Sequence, residues 1–284
     1  MSANEEENEW SLIAQSYEDV LRPRFEPLYQ SMANAVLQYI RSNSGQQPLK
    51  LLDYGTGSGE PVLTILKTLE GNELFNVELC GSDLSEKMLA VAAERLKSVK
   101  TQHLTVQFSS IENDTNIYDI ITMSLVLPYA LDQAQMLRDR FNQLKSKGLL
   151  ISSHWAHPNQ VPFLSTLKGV VVHMATGTQL DLSKLESDPS FSCWREEETR
   201  QLFVQEGFTI REYIPVQLPM SFPDIRTLLR FCEICPWFRD ESIYYKAEEE
   251  TKRILREAYR IEINADGSVQ LPSTAIVVVA SKST

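Results

Sequence analysis

Cysteine is scarce in this chain. The four residues Cys80, Cys193, Cys232 and Cys235 are scattered over 284 positions, which is no disulfide framework and points to a reducing compartment. The cytoplasm is the expected location. Basic residues are also few: 27 Lys and Arg stand against 38 Asp and Glu, a formal net charge of −11 with a pI near 5.0. A chain without a basic excess gains little from a phosphate backbone, so nucleic acid is not an expected partner. Long apolar runs are missing. The AIVVVA at 275–280 has strand length and falls far short of the ~20 residues of a membrane span. The opening MSANEEENEW has neither a basic n-region nor an apolar h-region, so no signal peptide is read there. No repeat or low-complexity segment is found. What is present is 43% hydrophobic content, enough for one large domain with insertions and a sizeable core.

Hydrophobic periodicity divides the chain. Residues 9–40 carry apolar positions at helical spacing, including Trp10, Tyr17, Met32 and Ile40, interrupted by Pro23 and Pro27, which predicts two helices with a Pro-punctuated joint. Strands are predicted at 49–52, 75–80, 105–108, 119–125 and 148–153, with helices at 61–69, 85–97 and 132–145 between them. Ser85 is the expected N-cap of its helix. Such alternation predicts a parallel, doubly wound α/β sheet. Beyond 154 the pattern loosens: a helical insertion at 158–189, a helix at 195–207, a strand at 208–217, a second helical insertion at 222–259 and a last strand at 274–280. The Ala265-Asp-Gly-Ser268 turn predicts a hairpin-like return into that last strand.

The densest signal is LLDYGTGSGE at 51–60, where Gly55, Gly57 and Gly59 follow a short strand ending in Asp53. A glycine turn there lets the backbone approach a ligand at the carboxyl ends of the strands. It is no dinucleotide fingerprint, because Glu60 stands where the third glycine would fall, and no Walker A loop, because no Gly-Lys-Ser/Thr follows. The second strand runs into Gly81-Ser82-Asp83, and an acid at that point suits the two hydroxyls of a ribose. With Asp53 near the turn, the expected ligand carries a ribose and a cationic amino-acid end, as S-adenosylmethionine does.

The succession LLDYGTGSGE, CGSDLSEKMLAVAAERL, IYDIITMSLVLPY and LKSKGLLISSHW resembles, in order and spacing, the motifs of class I S-adenosylmethionine-dependent methyltransferases. The opening WSLIAQSYEDVLRPRFEPLY is similar to the N-terminal helical lid of small-molecule members related to the ubiquinone and menaquinone C-methyltransferases. The resemblance implies a Rossmann-like sheet of seven strands, mostly parallel, with an antiparallel last strand. It also implies one methyltransferase domain over 1–284: a lid at 9–40, a cofactor-binding core at 48–155, and helical insertions at 158–193 and 222–262 as a substrate cap. Carried over by position, Asp53, Gly55, Gly57 and Gly59 surround the methionine part of the cofactor, and Asp83 takes the ribose with Leu84 and Met88 beside the adenine. Ser110 stands where relatives often have an Asp for the adenine amino group, with Ile111 against the ring; Met123 and Ser124 lie near the methyl-transfer centre. Tyr17 matches a lid aromatic over the cofactor, and packing of an amphipathic helix explains it equally.

The reaction implied is in-line attack by a nucleophilic O, N, S or activated carbon on the sulfonium methyl of a bound cofactor. His154 and His157, just past the fifth strand, and Tyr129, past the fourth, are the candidates for catalysis; the histidines also fit satisfied structural roles. Tyr129, Trp155, Phe163, Met174 and Trp194 suggest an apolar, partly aromatic pocket for a small lipophilic methyl acceptor, while Trp10 and Phe25 read as packing. Cys232 and Cys235 form a lone C-x-x-C with no second pair, so no metal is assigned. Two alternatives stand beside this reading: a cofactor-binding scaffold without turnover, and a protein or tRNA methyltransferase. The acidic charge counts against tRNA, and Leu125-Val-Leu-Pro-Tyr129 in place of an Asn/Asp-Pro-Pro-Tyr motif counts against amino-group methylation of nucleobases or glutamine.

Overall fold

The computed structural model describes residues 3–43, 48–69, 77–97, 105–110, 117–179, 181–191, 195–234, 238 and 240–282. Its first layer is helical. Helix α1 (Ala3–Ser16) leads through a π turn (Tyr17–Leu21) and a 3-10 turn (Arg22–Phe25) into α2 (Glu26–Ser42), so the expected joint is two irregular turns holding Pro23, and Pro27 sits in the first turn of α2. Pro is tolerated there because that turn has no intrahelical partner for its N–H. Leu28, Met32, Val36 and Ile40 recur every four residues along α2 and are buried, each worth roughly 1.5–3 kcal/mol of apolar transfer.

A seven-stranded sheet follows, built from β1 (Leu49–Tyr54), β2 (Val77–Asp83), β3 (Thr105–Ser110), β4 (Tyr118–Met123), β5 (Leu144–Trp155), β6 (Phe208–Leu218) and β9 (Ser273–Lys282) in the order β3-β2-β1-β4-β5-β9-β6. β9 runs antiparallel between β5 and β6, while the neighbouring pairs from β3 through β5 are parallel. The residues of β4 are all buried, and so are those of β9 up to its last, Lys282; this is why both read as apolar runs without alternation. The chain winds outward from β1 through α3 (Val62–Thr68) and α4 (Glu86–Leu96) in one direction. It returns and winds the other way through α5 (Gln133–Gln143) and later α7 (Glu196–Gln205). Right-handed crossovers therefore put α3 and α4 on one face and α5 and α7 on the other. The reversal between β1 and β4 opens a crevice at the carboxyl ends of the strands, where ligands of such sheets bind.

Two expectations change in detail. β5 begins at Leu144 rather than 148, because Tyr118 pairs with Leu144 across a register shift and residues 145–147 are absorbed into the strand. The turn at 265–268 feeds β8 (Val269–Gln270), which pairs with β7 (Ser221–Phe222) in a separate two-stranded ribbon. The last strand instead enters the main sheet at β5 and β6. The first insertion contains α6 (Pro162–Thr176); the second contains α8 (Ile225–Leu229), a 3-10 turn (Arg230–Ile234) and α9 (Glu241–Ile254). No helix of the described residues is long and apolar enough to cross a membrane.

Candidate active site

The glycine turn is held from three directions. The backbone N–H groups of Gly55 and Thr56 donate to the Ser82 carbonyl at 2.8 and 2.9 Å, tying the turn to the end of β2. Gly55, Gly57 and Gly59 all have positive φ, which a side chain resists. From α4, Arg95 donates to the Ser58 carbonyl at 2.6 Å and to Glu60 Oε1 at 2.5 Å, and pairs with Glu18 of the N-terminal π turn at 3.3 Å. Glu60, in the place of a dinucleotide loop's third glycine, is thus a buried anchor whose other oxygen accepts from Thr64.

Asp83 stands across the turn. Its Oδ2 accepts from the Gly57 N–H at 2.7 Å and its Oδ1 from the Ser85 N–H at 2.9 Å, while Ser85 caps α4 as expected by accepting from the Met88 N–H. Burial pushes the Asp83 carboxyl above its usual range, opposed by these backbone donors. Each carboxylate oxygen has a second lone pair for a further donor. Beneath the turn, Asp53 is fully buried and off the cavity wall; Oδ1 accepts from the Thr122 hydroxyl at 2.7 Å, and the Thr56 hydroxyl acts on the same carboxyl.

Burial pushes the Asp53 carboxyl from 3.8 up to about 7. Between those values the folded protein keeps a proton that the unfolded chain has lost, so this group's contribution to stability falls as pH rises through the window and levels off above it. His154 works in the opposite sense: burial lowers it from 6.5 to about 4, and stability is lost as pH falls below the unfolded value. Asp53→Asn leaves His154 in place, so the difference between variant and parent isolates the carboxyl. Thermal unfolding from about pH 5 to 8 is expected to show the variant gaining relative to the parent as pH rises, and a constant difference would contradict the assignment.

These elements open on a cavity of about 440 Å³. On the side of the turn its wall includes Gly55, Gly57, Asp83, Leu84, Met88 and Ser124. The same wall includes Trp10, Tyr17, Phe25, Trp155, Phe163 and Tyr129. Edge-to-face contacts link Trp10 to Tyr17 and Tyr129, and Phe25 to Tyr17 and Trp155, with ring centroids 5.6–6.4 Å apart. Trp10 and Phe25 therefore form wall as well as packing. Leu125 follows β4 with φ 57, a strained conformation at the cavity edge, held by its N–H donating to the Ser153 hydroxyl at 3.0 Å.

Other expected residues lie elsewhere. His154 does not reach the cavity: alternation along β5 puts Trp155 on the cavity side and turns His154 away, against Tyr213, with Nδ1 on the Trp155 carbonyl at 2.9 Å. His157 caps the short turn Pro158–Gln160 by accepting from the Asn159 N–H and meets Glu186 at 3.2 Å, off the wall. Met174 lies ten residues beyond Leu164, which is on the wall, so the ~15 Å rise of the helix carries it away. Gly59 and Met123 are buried behind the wall. Ser110 enters only as the β3 partner of Asp83 in the sheet, and Ile111 and Trp194 fall outside the described residues. Sequence reading missed Tyr54, Arg140 and Phe231 on the wall. A charged residue in the apolar stripe Met136-Leu137-Arg140 was the available signal for one of them.

The arrangement fits an amino-acid-bearing nucleoside. Asp83 lines the cavity with oxygens that can accept further hydrogen bonds, and Gly57 leaves open space where a Cβ would stand. Among the described residues no cluster of His, Cys, Asp and Glu could hold a metal ion.

Comparison with known proteins agrees. A family described as "Methyltransferase domain" matches residues 46–206, more than half of the chain. Methyltransferase tpcH of Aspergillus fumigatus is 22% identical over 262 residues, covering 85% of this chain and 87% of that protein. Among solved structures, a Bacillus halodurans C-125 protein classed as a methyltransferase superposes with a TM-score of 0.56 at 15% identity, over 87% of this chain and 98% of that one. SpnF, a [4+2]-cyclase, shares the fold with a TM-score of 0.50 at 15% identity, over 89% of this chain and 82% of its own. The fold alone therefore does not decide the reaction, and the family match together with the cavity does. The chain belongs to the methyltransferase domain family and is an S-adenosylmethionine-dependent methyltransferase acting on a methyl acceptor.

Proposed function

We propose that the acceptor is a small lipophilic or aromatic molecule and that the protein belongs with the ubiquinone and menaquinone C-methyltransferase-related group. The carrying observation is that the turn with Asp83 and the aromatic wall of Trp10, Tyr17, Phe25 and Trp155 face one continuous cavity. A nucleoside against the turn leaves the aromatic part of the wall for an apolar partner, with the rings excluding water. Residues 9–40 act as lid, 48–155 as cofactor core and the two insertions as cap, within one domain over 1–284; Phe163 and Phe231 bring both insertions to the wall. Cysteine usage supports a cytoplasmic site of action.

S-adenosylmethionine supplies an electrophilic methyl group when bound. The chain's part is to orient and to keep water out. Burial holds the Tyr17 phenol up at about 12, with its hydroxyl 3.1 Å from that of Tyr29, and raises Tyr129 as well. Both stay protonated near neutrality and are donors to an acceptor oxygen rather than bases. No imidazole of the described residues lines the cavity, so the acceptor brings its own nucleophilicity, as a phenol or activated ring carbon does. Incubation with methyl-labelled S-adenosylmethionine and a panel of phenols and quinols is expected to move label into the organic extract. Label found only in protein or RNA, or none despite cofactor binding, would favour the macromolecular or the scaffold alternative.

A further inference from the structure

Among the described residues, one cation on the cavity wall has no anion. Arg140 of α5 is 7% exposed, and its Nε and Nη1 are buried without a hydrogen-bond partner. No ion pair of the described residues includes it. Its guanidinium carbon lies 3.9 Å from the centroid of the Tyr54 ring, which also lines the cavity. A cation–π contact offsets only part of the cost of taking a guanidinium out of water. The other carboxylates on this wall are engaged elsewhere: Asp132 caps α5 by accepting from the Gln135 N–H at 2.9 Å, Asp139 accepts from the Gln135 side chain at 2.8 Å, and Asp83 holds two backbone N–H groups. Tyr54 stands against the guanidinium, and neither Nε nor Nη1 has a protein acceptor. A guanidinium on a cavity wall without an anionic partner suits the oxygens of a carboxylate.

We infer that Arg140 and Tyr54 form a carboxylate-binding subsite of this cavity. The carboxylate comes either from the amino-acid end of the cofactor or from the acceptor, which would then be a lipophilic or aromatic acid. This rests on the cofactor assignment and sharpens the proposed acceptor class. It also accounts for a charge in the apolar stripe of α5, where an apolar residue would pack without penalty.

Calorimetry on the intact protein separates the two sources. S-adenosylhomocysteine and 5′-methylthioadenosine, which lacks the amino-acid end, are titrated into the parent and into Arg140→Met. Cinnamate and its methyl ester are then titrated into each protein saturated with S-adenosylhomocysteine. If the subsite takes the cofactor's carboxylate, the Met variant binds S-adenosylhomocysteine on the order of 10- to 100-fold more weakly and methylthioadenosine unchanged. If it takes the acceptor's, S-adenosylhomocysteine is unaffected, and the parent prefers cinnamate to its ester by about tenfold or more, a preference the variant loses. Unchanged affinities in every arm overturn the subsite while leaving the methyltransferase assignment intact. A parent that binds neither nucleoside removes the cofactor reading beneath it. The Met variant replaces an unpaired buried charge by an apolar chain and is expected to unfold at no lower temperature. Arg140→Lys, which keeps the charge and loses the fork, gives the same comparison at intermediate strength should the Met variant fail to fold.

Discussion

Asp83→Ala is expected to weaken S-adenosylhomocysteine binding on the order of 100-fold or more, read by calorimetry. The carboxylate is the acceptor for both the Gly57 and Ser85 N–H groups, so its removal takes away the ribose partner and loosens the turn that approaches the ligand. Charge-assisted hydrogen bonds are each worth roughly 1.5–3 kcal/mol, and a ribose offers two hydroxyls. Asp83→Asn separates the two effects: it keeps one oxygen for the backbone and loses the charge, so its affinity should fall between those of the parent and the alanine variant. Equal affinity in all three proteins would remove Asp83 from the site.

Gly55→Ala should act on the fold as strongly as Asp83→Ala acts on binding. At φ 72 a side chain is strained, and a Cβ there would lie 2.4 Å from Val126 Cγ2. Left-handed backbone costs about 1–2 kcal/mol and overpacking about 1–3 kcal/mol, so a loss of roughly 2–5 kcal/mol in denaturant unfolding is expected. Gly57→Ala is the contrast. Its φ of 52 carries similar strain, but no atom lies within 4 Å of the added Cβ, and Gly57 borders the cavity. Its stability should fall less and its cofactor affinity more. The opposite ranking would mean that the turn is packed differently.

The alternation of strand and helix was legible because the strands carry short apolar runs, Leu51-Leu52 in β1 and Ile120-Ile121 in β4, and because Ser85 marks a helix start by a local hydrogen bond. Motif order led to the cavity, since Gly55, Gly57 and Asp83 sit at strand ends whose places in the sheet follow from winding. The insertion of β9 between β5 and β6, and the small β7–β8 ribbon, depend on pairing over long sequence distances that no local period encodes. Period-two alternation says that His154 and Trp155 face opposite ways, but not which of them meets the cavity. Only the packing of Phe25 and Phe163 against Trp155 decides that. Trp10 and Phe25 show the same limit for helices: amphipathic spacing reports that a ring is covered, not whether ligand or core covers it. Arg140 was the reverse case, a charge within an apolar stripe that marks a wall residue once its lack of partners is seen.

The most direct test of the account is the crystal structure of the protein with S-adenosylhomocysteine. The expected result has both ribose hydroxyls on the Asp83 carboxylate, the amino-acid end over the Gly55–Gly57 turn, and the sulfur facing the space between Tyr17 and Trp155. A nucleoside seated elsewhere, or a sulfur turned from the aromatic wall, would contradict it.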